Sequence, residues 1–168
     1  YHIKKGLSLG VYLDLLPGFD MDYVVNRVQT IFLDGNAIDD LQTPLVKDNT
    51  ILAISAAMPG LAGAIFRKNS LHKALRTKSE ASVTTESDQE NITLSLKLFN
   101  MIAQEKGKQL LDEGVVIKGK NIYNFLIDRP SLKDYIVHIY RDEEQISPDQ
   151  FINMVKSIEI VKLIIKTV

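Results

Sequence analysis

A long polar segment, residues 76–91, constrains the fold of this chain more than any other feature. Between Arg76 and Asn91 only Ala81 and Val83 are apolar, and serine, threonine, glutamate and aspartate dominate. Such a segment buries too little apolar surface to offset the entropy that is lost when it becomes ordered. We therefore predict a linker or long loop here, which divides the chain into residues 1–75 and residues 92–168.

Length and composition are those of an ordinary globular protein. The chain has 168 residues, of which 45% are hydrophobic and 24% are charged, so a sizeable core is possible. Its 20 basic and 21 acidic residues give a net charge of -1, without the basic excess that is typical of nucleic-acid binding. The chain contains no cysteine, which excludes disulfides, thiolate zinc sites and cysteine nucleophiles. This composition is compatible with a cytoplasmic location, which we predict.

The first unit alternates strand and helix signals. Residues 3–9 and residues 11–16 have a strand-like composition, and Asp20 can cap a short helix whose apolar residues follow at helical spacing. An Asp-Gly pair that begins at Asp34 predicts a tight turn, and residues 51–55 predict an apolar strand. The predicted order is strand, strand, helix, strand, turn and strand.

The second unit is predicted to mix strands and helices and to have a C-terminal helix. Residues 92–99 alternate apolar and polar side chains as a half-buried strand does, and a helix follows that ends at Gly114. Ser147 and Gln150, with a proline between them, match the capping box of a helix that should reach Ser157. The tail beyond it either continues the helix or forms a strand. The predicted fold class is therefore α+β.

The uncharged stretch SAAMPGLAGA, residues 55–64, raises the main functional question. The apolar run around it is shorter than the roughly 20 residues of a membrane-spanning helix, and the stretch lacks the GxxxxGK[ST] and GxGxxG patterns of phosphate loops. We predict a close-packed crossing in which Gly60 or Gly63 takes a conformation that is costly for other residues. An exposed apolar patch here would instead favour an interface or a membrane surface. The residues predicted to be largely buried are Ala56, Ala57, Leu61 and Ala62.

The sequence contains no constellation that supports catalysis or metal binding. The aspartates from Asp34 to Asp40 do not match the spacing of a calcium-binding EF-hand loop. We predict no catalytic residue, no metal and no cofactor, and we favour a role that is not enzymatic. The histidines are far apart and lack partners of the HExxH kind: His2, His72 and His138.

Part of the first unit resembles the ubiquitin-like β-grasp sulfur carriers of thiamine and molybdopterin synthesis. The resemblance covers residues 7–63 and rests on TIFLDGNAIDD and on LVKDNTILAISAAMPGLAG. In those carriers a strand leads to an Asn-Gly-type turn, and a second turn, a strand and a Gly-Gly tail follow. Here the turns fall at residues 34–36 and 47–49, the strand at residues 51–55 and the tail at residues 59–63. The resemblance implies a β-grasp-like fold for the first unit.

The departures from this family bear on function. Sulfur-carrier chemistry needs a free C-terminal Gly-Gly carboxylate, whereas Gly60 and Gly63 are not adjacent and the chain continues to Val168. The resemblance therefore implies a ubiquitin-like module used for binding, and we predict a non-catalytic binding or adaptor protein with a protein partner. The alternative is a small-molecule-binding protein or enzyme subunit that uses the loop of residues 58–63. The predicted contact residues are Met58, Pro59, Gly60, Leu61, Gly63 and Arg67.

Overall fold

The computed structural model of the protein describes residues 1–76 and 90–167. Helices and strands are mixed along the chain, which confirms the predicted α+β class. Contacts between Cα atoms divide the chain into two compact units, Tyr1–Leu110 and Leu111–Val168. The sequence predicts a division at residues 76–91 instead, and most of that segment lies outside the described residues.

The first unit is built on a five-stranded sheet. Its strands are β1 (His2–Lys4), β2 (Thr30–Leu33), β3 (Asn36–Ala37), β4 (Thr50–Ser55) and β5 (Asn91–Phe99). Their order in the sheet is β1-β5-β4-β2-β3, in which β4 and β5 are parallel and the other neighbours antiparallel. The strand β5, which the sequence analysis assigns to the second unit, thus pairs with two strands that precede the polar segment. Its alternate residues Ile92 and Leu94 are each 1% exposed, so β5 completes the core of the first unit.

The helices of the first part of the chain include one where a strand is predicted. They are α1 (Leu9–Asp14), α2 (Met21–Asn26), α3 (Gly60–Phe66) and α4 (Asn100–Glu113), with a short 3₁₀ helix at Lys73–Leu75. The strand predicted for residues 11–16 is wrong, because the Ser8 hydroxyl accepts a hydrogen bond from the Val11 N–H and starts α1. The buried residues follow at helical spacing: Leu9, Tyr12, Leu13 and Leu16.

Other local predictions are confirmed, two in the first unit and one in the second. The Asp20 carboxylate caps α2 by accepting a hydrogen bond of 2.7 Å from the Tyr23 N–H. Asp34 and Gly35 form the turn between β2 and β3 with φ values of 48° and 84°. Gly114 follows α4 with a φ of 108°, as a left-handed C-terminal residue does.

The described part of the second unit is smaller and contains two separate pairs of strands. Its strands are β6 (Val115–Lys118), β7 (Ile139–Arg141), β8 (Glu144–Ile146) and β9 (Ile160–Leu163). Its helices are α5 (Gly119–Ile127) and α6 (Pro148–Ser157), with a 3₁₀ helix at Pro130–Tyr135. The strands pair antiparallel, β6 with β9 and β7 with β8. The core cluster consists of Ile122, Leu126, Ile152 and Val155.

The predicted C-terminal helix is α6, and its capping box is present. The Ser147 hydroxyl accepts a hydrogen bond of 3.2 Å from the Gln150 N–H, and the Gln150 side chain accepts one of 2.8 Å from the Ser147 N–H. The helix reaches Ser157 as predicted. The tail then forms β9, which is one of the two structures left open for it.

Candidate functional site

The stretch of residues 55–64 is largely exposed. Only Ser55, Ala56 and Gly63 are buried within it, and the prediction of a buried crossing is wrong for Ala57, Leu61 and Ala62. The physical reason is that α3 begins directly after Pro59 and has only seven residues, of which Gly63 alone is buried. Most of its remaining side chains point to solvent, and that of Leu61 is 73% exposed.

Two glycines nevertheless have the backbone role predicted for them. Gly60 has a φ of 71°, a conformation that other residues adopt only with strain. Gly63 lies so close to the preceding backbone that an added β-carbon would overlap the carbonyl oxygen of Met58. The small residues of this stretch therefore permit a close backbone approach, although they do not cross the core.

Three basic side chains anchor the C-terminal end of α3. The predicted contact residue Arg67 donates a hydrogen bond of 2.9 Å from Nε to the side-chain oxygen of Gln29. The Lys68 ammonium donates to the Val24 carbonyl at 3.1 Å, and burial lowers the pKa of Lys68. The Arg76 guanidinium pairs with Asp39 at 2.9 Å and also donates to two carbonyl oxygens at the end of α3. These contacts give Arg67 a structural role.

An open groove of about 620 Å³ lies beside this stretch, on one face of the first unit's sheet. Met58 lines it, whereas the other five predicted contact residues are not among its lining residues. The register places Phe32, Ala53 and Lys97 side by side across β2, β4 and β5, and it places Ser55 beside Phe99. The groove therefore follows alternate residues of three neighbouring strands. We call it the sheet groove.

The floor of the sheet groove is apolar apart from Lys97, which lies beside Ala53, and further polar groups lie at its two ends. Ile51 and Phe99 on the floor are 40% and 49% exposed. At one end, the Asp34 carboxylate accepts a hydrogen bond of 2.8 Å from the Ile51 N–H and pairs with Lys47 at 3.2 Å. At the other end, the Asn100 amide donates to the Ser55 hydroxyl at 2.9 Å. These polar groups are engaged, and the apolar floor is left open.

Phe32 connects the sheet groove to α3. Its ring lies 5.3 Å from the ring of Phe66, the last residue of that helix, at an angle of 56°. Such a tilted aromatic pair is a favourable packing arrangement. The sheet groove and the exposed stretch before α3 are therefore parts of one surface, joined through Met58 and this aromatic pair.

Most groove residues were not predicted from the sequence, although a signal for them exists. In β4 the residues of both faces are apolar, since Leu52 and Ile54 alternate with Ile51 and Ala53. A strand that is apolar on both faces is typically covered on both. The pattern therefore indicates that the second face of β4 also contacts something.

The carboxylates that invited a metal hypothesis are engaged separately. Asp34 accepts a hydrogen bond from the Ile51 N–H of β4, Asp39 pairs with Arg76, and Asp40 accepts a hydrogen bond of 2.8 Å from the Gln42 N–H. In the described part of the chain, no three residues of the histidine, aspartate and glutamate types are grouped as metal ligands. The arrangement of these residues supports turn formation.

The second unit has a smaller pocket and several exposed aromatic rings. The pocket, of about 310 Å³, is lined by residues of the β7–β8 hairpin and its flanks. Tyr135 and Tyr140 are 80% and 59% exposed, while Tyr123 packs against the core cluster. Arg129 lies 4.5 Å above the ring of Phe125. Lys156 also lies 5.6 Å from the centre of the Tyr123 ring. The sheet groove of the first unit is the larger of the two openings and is taken as the candidate site.

Comparisons with known proteins return no relative. No protein-family model matches the chain, and no curated protein or solved structure matches it either. Among residues 1–76 and 90–167, no helix combines the length and the apolar character that crossing a membrane requires.

Proposed function

We propose that this protein is a non-catalytic binding module whose protein partner docks on the sheet groove and on the exposed segment of residues 57–62, which includes the start of α3. The observation that supports this most is the exposure of an uncharged stretch directly beside an open apolar sheet face. Contiguous exposed apolar surface is typical of interaction sites, since a free protein gains by covering it. That the first unit is a ubiquitin-like β-grasp stays a prediction, which rests on the resemblance. The cytoplasmic location is part of the proposal and rests on the lack of cysteine.

The geometry favours a protein over a compact ligand. The apolar surface extends from Phe99 across the sheet to Met58, and Leu61, three residues further along the chain at the start of α3, is 73% exposed. A protein segment can cover both the flat sheet face and the protruding side chain, as interface cores with aromatic anchors do. A small molecule in the sheet groove would leave Leu61 uncovered.

Short peptides displayed on phage provide a direct test with the full chain. Selected peptides should bind the natural protein and lose on the order of 10-fold or more in affinity with Phe99→Asp and with Leu61→Glu. Leu15→Glu is the matched control, because Leu15 is 70% exposed at the C-terminal end of α1 and does not line the groove. Each variant is first checked for an unchanged thermal unfolding curve. Peptides whose affinity is unchanged by both substitutions would contradict the proposal.

The second candidate function is small-molecule binding in the sheet groove. Its volume of about 620 Å³ favours this, because sites for small ligands commonly measure about 300–1,000 Å³. The same variants separate the two functions. A small uncharged aromatic probe such as N-phenyl-1-naphthylamine should lose binding with Phe99→Asp but keep it with Leu61→Glu. Peptide binding that depends on both residues supports the protein partner.

A further inference from the structure

One charged side chain stands among the apolar residues of the sheet groove. Lys97 is exposed on β5, and the register places it beside Ala53, whose other neighbour is Phe32. Among the residues that the structure describes, no carboxylate pairs with Lys97. The other formal charge that lines the groove, Asp34, is compensated by Lys47 and by the Ile51 N–H.

We propose that the segment bound in the sheet groove is apolar and carries a carboxylate that pairs with Lys97. This inference rests on the proposed function and names the chemistry of its partner. A partner that covers Phe32 and Phe99 also removes water from the lysine ammonium. Desolvating a charge is unfavourable unless an opposite charge or hydrogen-bond acceptors replace the water. An aspartate or glutamate in the bound segment meets that need, whereas a lysine or arginine there would be repelled.

The ion pair between Lys97 and the carboxylate of the bound segment determines specificity more than total affinity. Apolar contacts with Phe32, Ile51 and Phe99 contribute most of the binding, because they remove apolar surface from water. The ammonium of Lys97 then discriminates among apolar segments by charge, as complementary charges across interfaces do. Because Lys97 lies at an exposed position, added salt should weaken the discrimination before it weakens apolar binding.

The test compares peptides selected on the natural chain with those selected on Lys97→Glu, using the same phage library. Peptides that require Phe99 should be enriched in aspartate or glutamate on the natural chain and in lysine or arginine on the variant. Replacing the acidic residue of a selected peptide by its amide should weaken binding about 3- to 10-fold. Lys73→Glu is the control, because it makes the same change of charge at an exposed residue that does not line the groove.

The outcomes separate this inference from the proposed function. Two outcomes would overturn the role of Lys97 while the proposed binding module remains. In the first, peptides that require Phe99 show no preference for acidic residues on the natural chain. In the second, the acidic preference is the same on Lys97→Glu. A preference that also changes with Lys73→Glu would show a general charge effect, which likewise overturns the inference. If no selected peptide requires Phe99 or Leu61, the proposed function itself is wrong.

Discussion

The two faces of the first unit's sheet are made by alternate residues of the same strands, yet their burial differs. On one face, Ile31, Leu52 and Ile54 are at most 1% exposed. On the other face, Ile51 and Phe99 are 40% and 49% exposed. Ile51 and Phe99 are as apolar as the buried residues, although β5 also places the polar Ser95 and Lys97 on their face. For residues such as Ile51 and Phe99, hydrophobicity alone therefore does not determine whether they join the core. Burial depends on what the rest of the chain places over each face.

Truncating one side chain on each face should give the largest contrast. Leu52→Ala leaves a cavity in the covered face, and we expect the free energy of unfolding to fall by about 2–5 kcal/mol. Ile51→Ala removes a side chain that is already 40% exposed, and we expect a loss below about 1 kcal/mol. Urea denaturation of both variants measures the difference. Equal losses would show that the sheet groove is covered in solution.

Local signals predicted much of the fold correctly because they depend on neighbouring residues. The caps at Asp20 and Ser147 and the left-handed Gly114 each need only a few adjacent residues. The strand predicted for residues 11–16 is wrong, because large apolar residues occur in strands and helices alike. The hydrogen bond that caps the helix at Ser8 favours the helix here. Local sequence therefore predicts how an element begins and ends better than its type.

The sheet order and the sheet groove could not be predicted, because both depend on residues that are distant in sequence. The parallel pairing of β5 with β4 joins Thr50 to Leu94 across the polar segment. Lys97 and Phe32 become neighbours of Ala53 only through that order. Of the predicted contact residues, Met58 alone lines the groove, and it lies three residues after the end of β4.

Substitution of Gly63 tests the close approach of α3 to the backbone of Met58, which lines the sheet groove. The β-carbon of Gly63→Ala would overlap the Met58 carbonyl oxygen, so we expect a loss of about 1–3 kcal/mol in the free energy of unfolding. Gly107→Ala is the matched control, because its β-carbon meets no atom within 4 Å and alanine favours helix α4 by about 0.5–1 kcal/mol. Thermal unfolding that is unchanged by Gly63→Ala would contradict the close approach.

Limited trypsin digestion tests whether β5 is part of the first unit's sheet. Arg76 is held by Asp39 and by two carbonyl oxygens, so we expect the first cut at Lys78 in the polar segment and not at Arg76. The fragments should elute together from a sizing column, because β5 pairs with both β1 and β4. Fragments that elute separately would show that the chain divides into two domains at residues 76–91. First cuts at Lys106 or Lys118 would show that the polar segment resists cleavage, contrary to its composition.

The smallest expected effect is a pH dependence at the turn that leads into β4. The Asp48 carboxylate accepts a hydrogen bond of 2.6 Å from the Thr93 N–H of β5, and this bond holds the pKa of Asp48 below its ordinary value. A carboxyl group whose pKa is lower in the folded state stabilises that state fully above its unfolded pKa, which is about 3.9. Its contribution is lost as the pH falls through the lower folded value.

Asp48→Asn keeps an oxygen that can accept the bond but removes the titration. The difference in the free energy of unfolding between the natural protein and this variant should therefore be present at neutral pH and shrink below about pH 4. Urea denaturation at several pH values measures it, with Asp14→Asn as a control that changes the charge equally at an exposed residue of α1. A difference that stays constant down to the acid limit would show that the Thr93 bond does not distinguish carboxylate from amide. In that case the link between the turn and β5 is held by geometry and not by charge.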